Sequence, residues 1–143
     1  MSHPHPRLSI VSRTPLDSID HAEDALAVIA LAMASPLRHE TIAFLLDDQH
    51  HTGVITVVSG TDRPDALFTV VEVLCTAGFD GPSTRLVVAS IRPDTCTLPG
   101  DVDRWLEASS IADEFDIELV EWFVVGPCGP ECPRDLLGEP ERW

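Results

Sequence analysis

The sequence predicts a single α/β domain, an α-β-α sandwich built on a mixed β-sheet. The regular elements read in the order α, β, β, α, β, α, β, an alternation that lets helices cover both faces of one sheet. The chain has 143 residues, enough for one core that buries roughly 70% of the unfolded surface. The third strand run, Arg85 to Ile91, is apolar over most of its length, as a strand covered on both faces must be.

Residues 1–16 contain Pro4, Pro6 and Pro15 and no apolar period, so a loose N-terminal arm is expected, with the domain running from 17 to 126. Asp17 or Ser18 supplies capping chemistry for a first helix reaching about Ser35, in which Ala22, Ala25, Leu26, Ile29, Ala30 and Met33 recur at helical spacing. Pro36 ends it. Thr41–Leu46 and Gly53–Val58 are β-prone runs separated by the polar stretch 47–52, the pattern of an antiparallel hairpin. Asp62-Arg63-Pro64-Asp65 opens a second helix whose face is Leu67, Val70, Val71 and Leu74, and Gly78 closes it. After the strand 85–91 comes a loop over 92–100. A third helix, 101 to 114, shows Val102, Trp105, Leu106, Ser109 and Ala112 along one stripe. The last strand, 117–125, carries large apolar groups on both faces and is expected to be covered by helices or a partner. Trp105 falls in the core by spacing, whereas Trp122 and Trp143 are candidate contact residues. From 127 to 143 four prolines and two glycines predict an irregular tail, one able to pack against the body.

The charge balance excludes some functions. There are 24 acidic residues against 9 basic ones, every basic residue an arginine, for a formal charge of −15. A field of that sign repels phosphate backbones, so direct nucleic-acid binding is not expected. No apolar run spans a bilayer, and Met1–Pro6 lacks the apolar segment of a secretory signal; a cytoplasmic protein is expected. In that setting Cys75, Cys96, Cys128 and Cys132 are not expected to form a disulfide framework.

One stretch carries a sharper signal. Arg85-Leu-Val-Val-Ala-Ser-Ile-Arg-Pro-Asp-Thr-Cys-Thr-Leu-Pro-Gly-Asp-Val-Asp103 resembles the JAMM signature of the JAB/MPN metalloprotease family, whose fold is cytidine-deaminase-like, and in particular its bacterial RadC-like branch. In that family a strand delivers His-x-His-Pro, and a Ser and an Asp open the following helix. Pro93, Pro99 and Asp103 stand at matching spacings, but the histidine positions are Ser90 and Arg92, and the serine position is Gly100. The resemblance makes Glu40 the match of the family's general base. It implies a fold without a usable zinc site, because catalytic zinc needs three protein ligands and an open position. A guanidinium at 92 offers no lone pair and repels a dication. Arg92 is expected to pair with Glu40 or Asp103.

The leading functional reading is a catalytically inactive JAB/MPN-like module for protein interaction, scaffolding or regulation, as a homodimer or with a protein partner, and with no cofactor. An alternative is a metal-dependent hydrolase with zinc relocated to Cys96, Cys128 and Cys132 beside Glu40 and Asp103. Another is a small-ligand regulator in which Arg92 holds an anionic group. Taken without the resemblance, Glu40 is a charged strand residue and Asp103 a helix-opening acid. His3, His5, His50 and His51 receive no role.

Overall fold

The computed structural model describes residues 7–12, 18–52 and 54–143, the first of these as main chain. Six strands form one mixed sheet in the order β1-β3-β2-β4-β5-β6. These are β1 (Arg7–Ser12), β2 (Glu40–Asp47), β3 (Val54–Ser59), β4 (Ser83–Ile91), β5 (Glu118–Gly126) and β6 (Gly129–Glu131). Neighbours pair antiparallel except β4 and β5, which are parallel and joined through a helix. The helices are α1 (Ala22–Ala32), α2 (Ala66–Gly78), α3 (Asp101–Asp113) and α4 (Pro133–Leu137).

The expected layers are present. Ala25, Val28 and Ile29 of α1 pack on Ile42, Phe44, Val87 and Ala89. On the opposite face α2 contributes Leu67, Val71 and Cys75, and α3 contributes Trp105, Ala108 and Ala112, against Leu86, Val88 and Trp122. The alternation of adjacent residues in β4 between these two groups is the two-residue period of a strand buried on both faces.

The first helix is shorter than its sequence suggests. Asp24 accepts hydrogen bonds from the backbone N–H groups of Asp20 and His21, a reciprocal cap that sets the start at Ala22. Residues 13–17, including Asp17, lie outside the described residues, as do residues 1–6 with His3 and His5. Within the expected loose arm, residues 7–12 instead form β1, which extends the β2–β3 hairpin by one antiparallel strand. Leu8, Ile10 and Val11 are β-prone; the prolines that suggested an arm flank the strand rather than interrupt it.

Strand β5 departs from simple alternation. Leu119 and Trp122 belong to the α2–α3 core, while Val120 and Phe123 belong to the α1 core. A bulge opposite Leu86 and Val87 inserts the extra residue. Trp122 is therefore fully buried, which corrects its assignment as a contact residue; Trp143 packs half-buried against the α1 core.

The expected irregular tail is ordered. Two of its four prolines sit inside regular elements where they do no harm: Pro130 in the three-residue edge strand β6 and Pro133 at the first turn of α4. Arg134 donates through Nε to Glu121 Oε2 at 2.9 Å. Arg142 lies 4.5 Å from the Trp105 ring centroid and donates to the Leu119 carbonyl at 2.8 Å. Tail and body are thus one unit. No helix among the described residues is long and apolar enough to cross a membrane.

Candidate functional site

The C-terminal end of β4, the loop that follows it and the start of α3 meet beside the β2–β3 hairpin. The strand end, the loop and the segment from β3 into α2 border a cavity of about 30 Å³ lined by His39, Thr41, Thr61, Arg63, Ser90 and Arg92, among others. That is room for a water or two, not for a peptide.

Ser90 and Arg92 come from β4 and its end, and both face the α2–α3 side. Ser90 Oγ accepts a hydrogen bond from Trp122 Nε1 at 2.9 Å, which occupies the hydroxyl with a buried indole. The Arg92 guanidinium forms a bidentate pair with Asp101: Nη1 to Oδ2 at 2.7 Å and Nη2 to Oδ1 at 3.1 Å. Nη1 also reaches the Cys96 carbonyl at 3.3 Å. Asp101 is 0% exposed and Arg92 is 6% exposed, so the pair is largely withdrawn from solvent, with Arg92 bordering the small cavity.

Asp101 is the hub of this region. Besides Arg92 it receives the Leu98 N–H at 2.7 Å and Arg104 Nη1 at 2.9 Å. Burial pushes its carboxyl up, but the hydrogen bonds from Arg92 and Leu98, the Arg92 charge and the hydrogen bond from Arg104 outweigh that and hold it below the usual carboxylate range. Arg104 also bonds Asp65 at the mouth of α2 through Nε at 2.9 Å, so one carboxylate ties the loop, α3 and α2 together. Gly100 precedes α3 with φ at +90°, a left-handed backbone suited to glycine, and this turn aims the Asp101 N–H back at the Leu98 carbonyl.

The expected partners of Arg92 are elsewhere. Glu40 is nearly fully buried, but its Oε1 accepts the Ala34 N–H at 2.9 Å in the segment after α1. It points to the opposite face of the sheet from Ser90 and Arg92. Its neighbours His39 and Thr41 are the β2-side residues that line the cavity, because a shift of one residue along a strand reverses the face. Asp103 is exposed on α3. The helical turn that carries Asp101 inward rotates a residue two positions later outward. The pairing of Arg92 with Glu40 or Asp103 is thus replaced by pairing with Asp101.

These residues do not fit a zinc ion. Ser90 is engaged by Trp122, Arg92 is a cation bound to its own carboxylate, Glu40 faces away and Asp103 faces solvent. Three of the five Arg92 N–H donors are taken by Asp101 and the Cys96 carbonyl, and its charge is balanced by Asp101.

The cysteines overturn a further expectation. Cys96 in the β4–α3 loop and Cys128 in the β5–β6 turn form a disulfide with α-carbons 5.8 Å apart. Their separation of 32 residues carries no pattern that announces pairing; the parallel β4–β5 crossover brings the two turns together. Gly126 shows how close they come: a Cβ there would sit 2.1 Å from the Thr95 carbonyl oxygen, so only glycine lets the two backbones touch. Cys132 is not part of this group, and the acid beside the pair is Glu131. The Cys132 thiol, pushed up to about 12 by burial and by the nearby Glu121 charge, stays protonated. Cys75 is buried in the α2–α3 core, where burial raises its thiol to about 11.

Two features had only faint signals in the sequence. Glu121 is 1% exposed within an apolar strand and pairs with the buried Arg134 of α4; an acid inside Leu-Val-Glu-Trp-Phe demands such a partner. His50 adopts φ of +62° and its Nδ1 lies 2.7 Å from Asp20 Oδ1, tying the β2–β3 turn to the approach of α1. On the sheet's other flank, Leu45, Val54, Thr56, Val73, Leu74 and Ala77 line a mainly apolar groove of about 470 Å³.

No family model matches the chain, and no curated protein matches it significantly.

Proposed function

We propose that the chain is a catalytically inactive JAB/MPN-like domain that works as an interaction, scaffold or regulatory module. The β2–β3 hairpin, β4 antiparallel to β2, and the β4-α3-β5 crossover support the resemblance, since they bring the strand end at Ser90–Arg92 against the start of α3. The observation that carries the reading is the Arg92–Asp101 pair. A buried guanidinium bound bidentately to a carboxylate fills the centre of the motif with a neutralised structural contact where the family's metal ligand would stand. The chain's negative charge suits a basic protein partner, and the half-exposed Val54 and Val73 beside the apolar groove suit contact with apolar side chains.

The test is metal analysis of the purified chain together with peptide and isopeptide hydrolysis, on wild type and on Arg92→Ala, Asp103→Ala and Cys128→Ser. Zinc or hydrolysis that is present in wild type and lost in Arg92→Ala or Asp103→Ala, with the fold retained, refutes the reading. Metal lost only in Cys128→Ser leaves it intact, because that metal belongs elsewhere. Sedimentation of the wild type over a range of concentrations gives the positive arm for a homodimer.

A further inference from the structure

We infer that the Cys96–Cys128 pair, when reduced, forms with Glu131 a surface site for a thiophilic divalent cation such as zinc, so that oxidation and metal binding exclude one another. The sulfur atoms of Cys96 and Cys128 and a Glu131 carboxylate oxygen all lie within 4.8 Å of one another. Two Zn–S bonds of about 2.3 Å at the tetrahedral angle need sulfurs about 3.8 Å apart, and Zn–O bonds of about 2.1 Å need a comparable sulfur–oxygen spacing. The sulfurs are bonded in the disulfide and must move apart by about 2 Å after reduction to reach that spacing, while the Glu131 oxygen already stands within 4.8 Å of both; three protein ligands then leave a fourth position for water. The donor set of two thiolates and one carboxylate is borderline-soft and favours zinc over calcium or magnesium.

The backbone around the two cysteines, and the Glu131 carboxylate, are held by contacts other than the disulfide. The Arg92 N–H bonds the Val125 carbonyl at 2.8 Å and joins the loop to β5. Arg92 Nη1 holds the Cys96 carbonyl. Both the backbone N–H and the hydroxyl of Thr97 donate to Glu131 Oε1 at 3.0 Å, which fixes the carboxylate and is the kind of outer contact that orients a metal ligand. Cys128 is exposed, so a reductant reaches it. Glu131 also lines a surface cleft of about 330 Å³ with Asp135, Glu141 and Arg134, where two further carboxylates favour a cation and the arginine is already paired with Glu121.

The chemistry balances through a dithiol reductant. Two electrons and two protons pass from the dithiol to the disulfide, giving two protein thiols and an oxidised reductant. Metal binding then displaces one proton from each thiol, and Glu131 binds as the carboxylate. Re-oxidation requires that the thiolates leave the metal, which releases it.

The experiment titrates the full chain with Co²⁺ and then Zn²⁺, after reduction in one sample and without it in another, under anaerobic conditions. The expected result is one equivalent of Co²⁺ with thiolate-to-metal charge-transfer absorption in the reduced sample, displaced by Zn²⁺, and none in the oxidised sample. Cys96→Ser and Cys128→Ser should lose the charge-transfer band's full intensity, Glu131→Gln should weaken binding by about tenfold or more, and Cys132→Ser should bind as wild type. Equal binding by reduced and oxidised protein overturns the inference, as does no binding by reduced wild type whose circular dichroism is unchanged. A Cys132→Ser variant that loses the site overturns the assignment of its ligands.

Discussion

Replacing Arg92 with alanine strands the Asp101 carboxylate, which is fully buried. Removing one partner of a buried pair costs about 3–5 kcal/mol because the remaining charge is uncompensated. Asp101 keeps the Leu98 N–H and Arg104, so the low end applies, about 3 kcal/mol. For a domain of this size that lowers Tm by about 6–12 °C. The pH dependence sharpens the test. Asp101 is held below the usual carboxylate range in the folded chain, so its ionised form contributes stability above the unfolded value near ~3.9, lost as pH falls through the depressed folded value. Part of that depression comes from Arg92, and the gap between wild type and Arg92→Ala should therefore narrow on acidification. Urea denaturation at neutral pH and in steps downward measures it. A loss under about 1 kcal/mol, the scale of an exposed pair, or a gap that does not narrow in acid, refutes the reasoning.

Two other outcomes follow from the same structure. Reducing the Cys96–Cys128 bond, which closes a loop across 32 residues, should lower unfolding free energy by about 3–4 kcal/mol in the chain-entropy account; denaturant curves with and without reductant, in metal-free buffer, measure it, and Cys96→Ser should abolish the difference. Arg134→Leu leaves Glu121 buried without its cation and should cost about 3–5 kcal/mol, whereas Glu121→Leu combined with Arg134→Leu should lose much less. A double variant as unstable as the single one would show that packing, not charge, sets the cost.

The helices α2 and α3, the hairpin and the central strand were legible because each shows its own period: Leu67, Val70, Val71 and Leu74 at helical spacing, and unbroken apolar residues in β4. What escaped depended on parity and on distant closure. Glu40 and Arg92 share a plausible charge pairing in one dimension, yet strand parity sends Glu40 to the α1 face, where it takes the Ala34 N–H. Asp101 and Asp103 look alike as helix-opening acids, but only the first turns inward. Cys96 and Cys128 meet because β4 and β5 run parallel, a relation between strands that neither loop encodes. The proline-rich tail reads as irregular from composition alone, while its order comes from Arg134 and Arg142, whose partners lie in β5.

The last of these contacts bears on solubility. Strand β6 pairs only with Val124, Val125 and Gly126, which would leave the rest of β5 as a bare edge of the sheet. Side chains close it: Arg142 takes the Leu119 carbonyl, and Glu121 takes the Trp122 N–H. Pro130 in β6 removes a donor that an incoming strand would use. The residues after β5 thus act as an edge guard, and a chain cut after α4 would lose Arg142 and open the Leu119 carbonyl to an incoming strand, weakening that guard at one point.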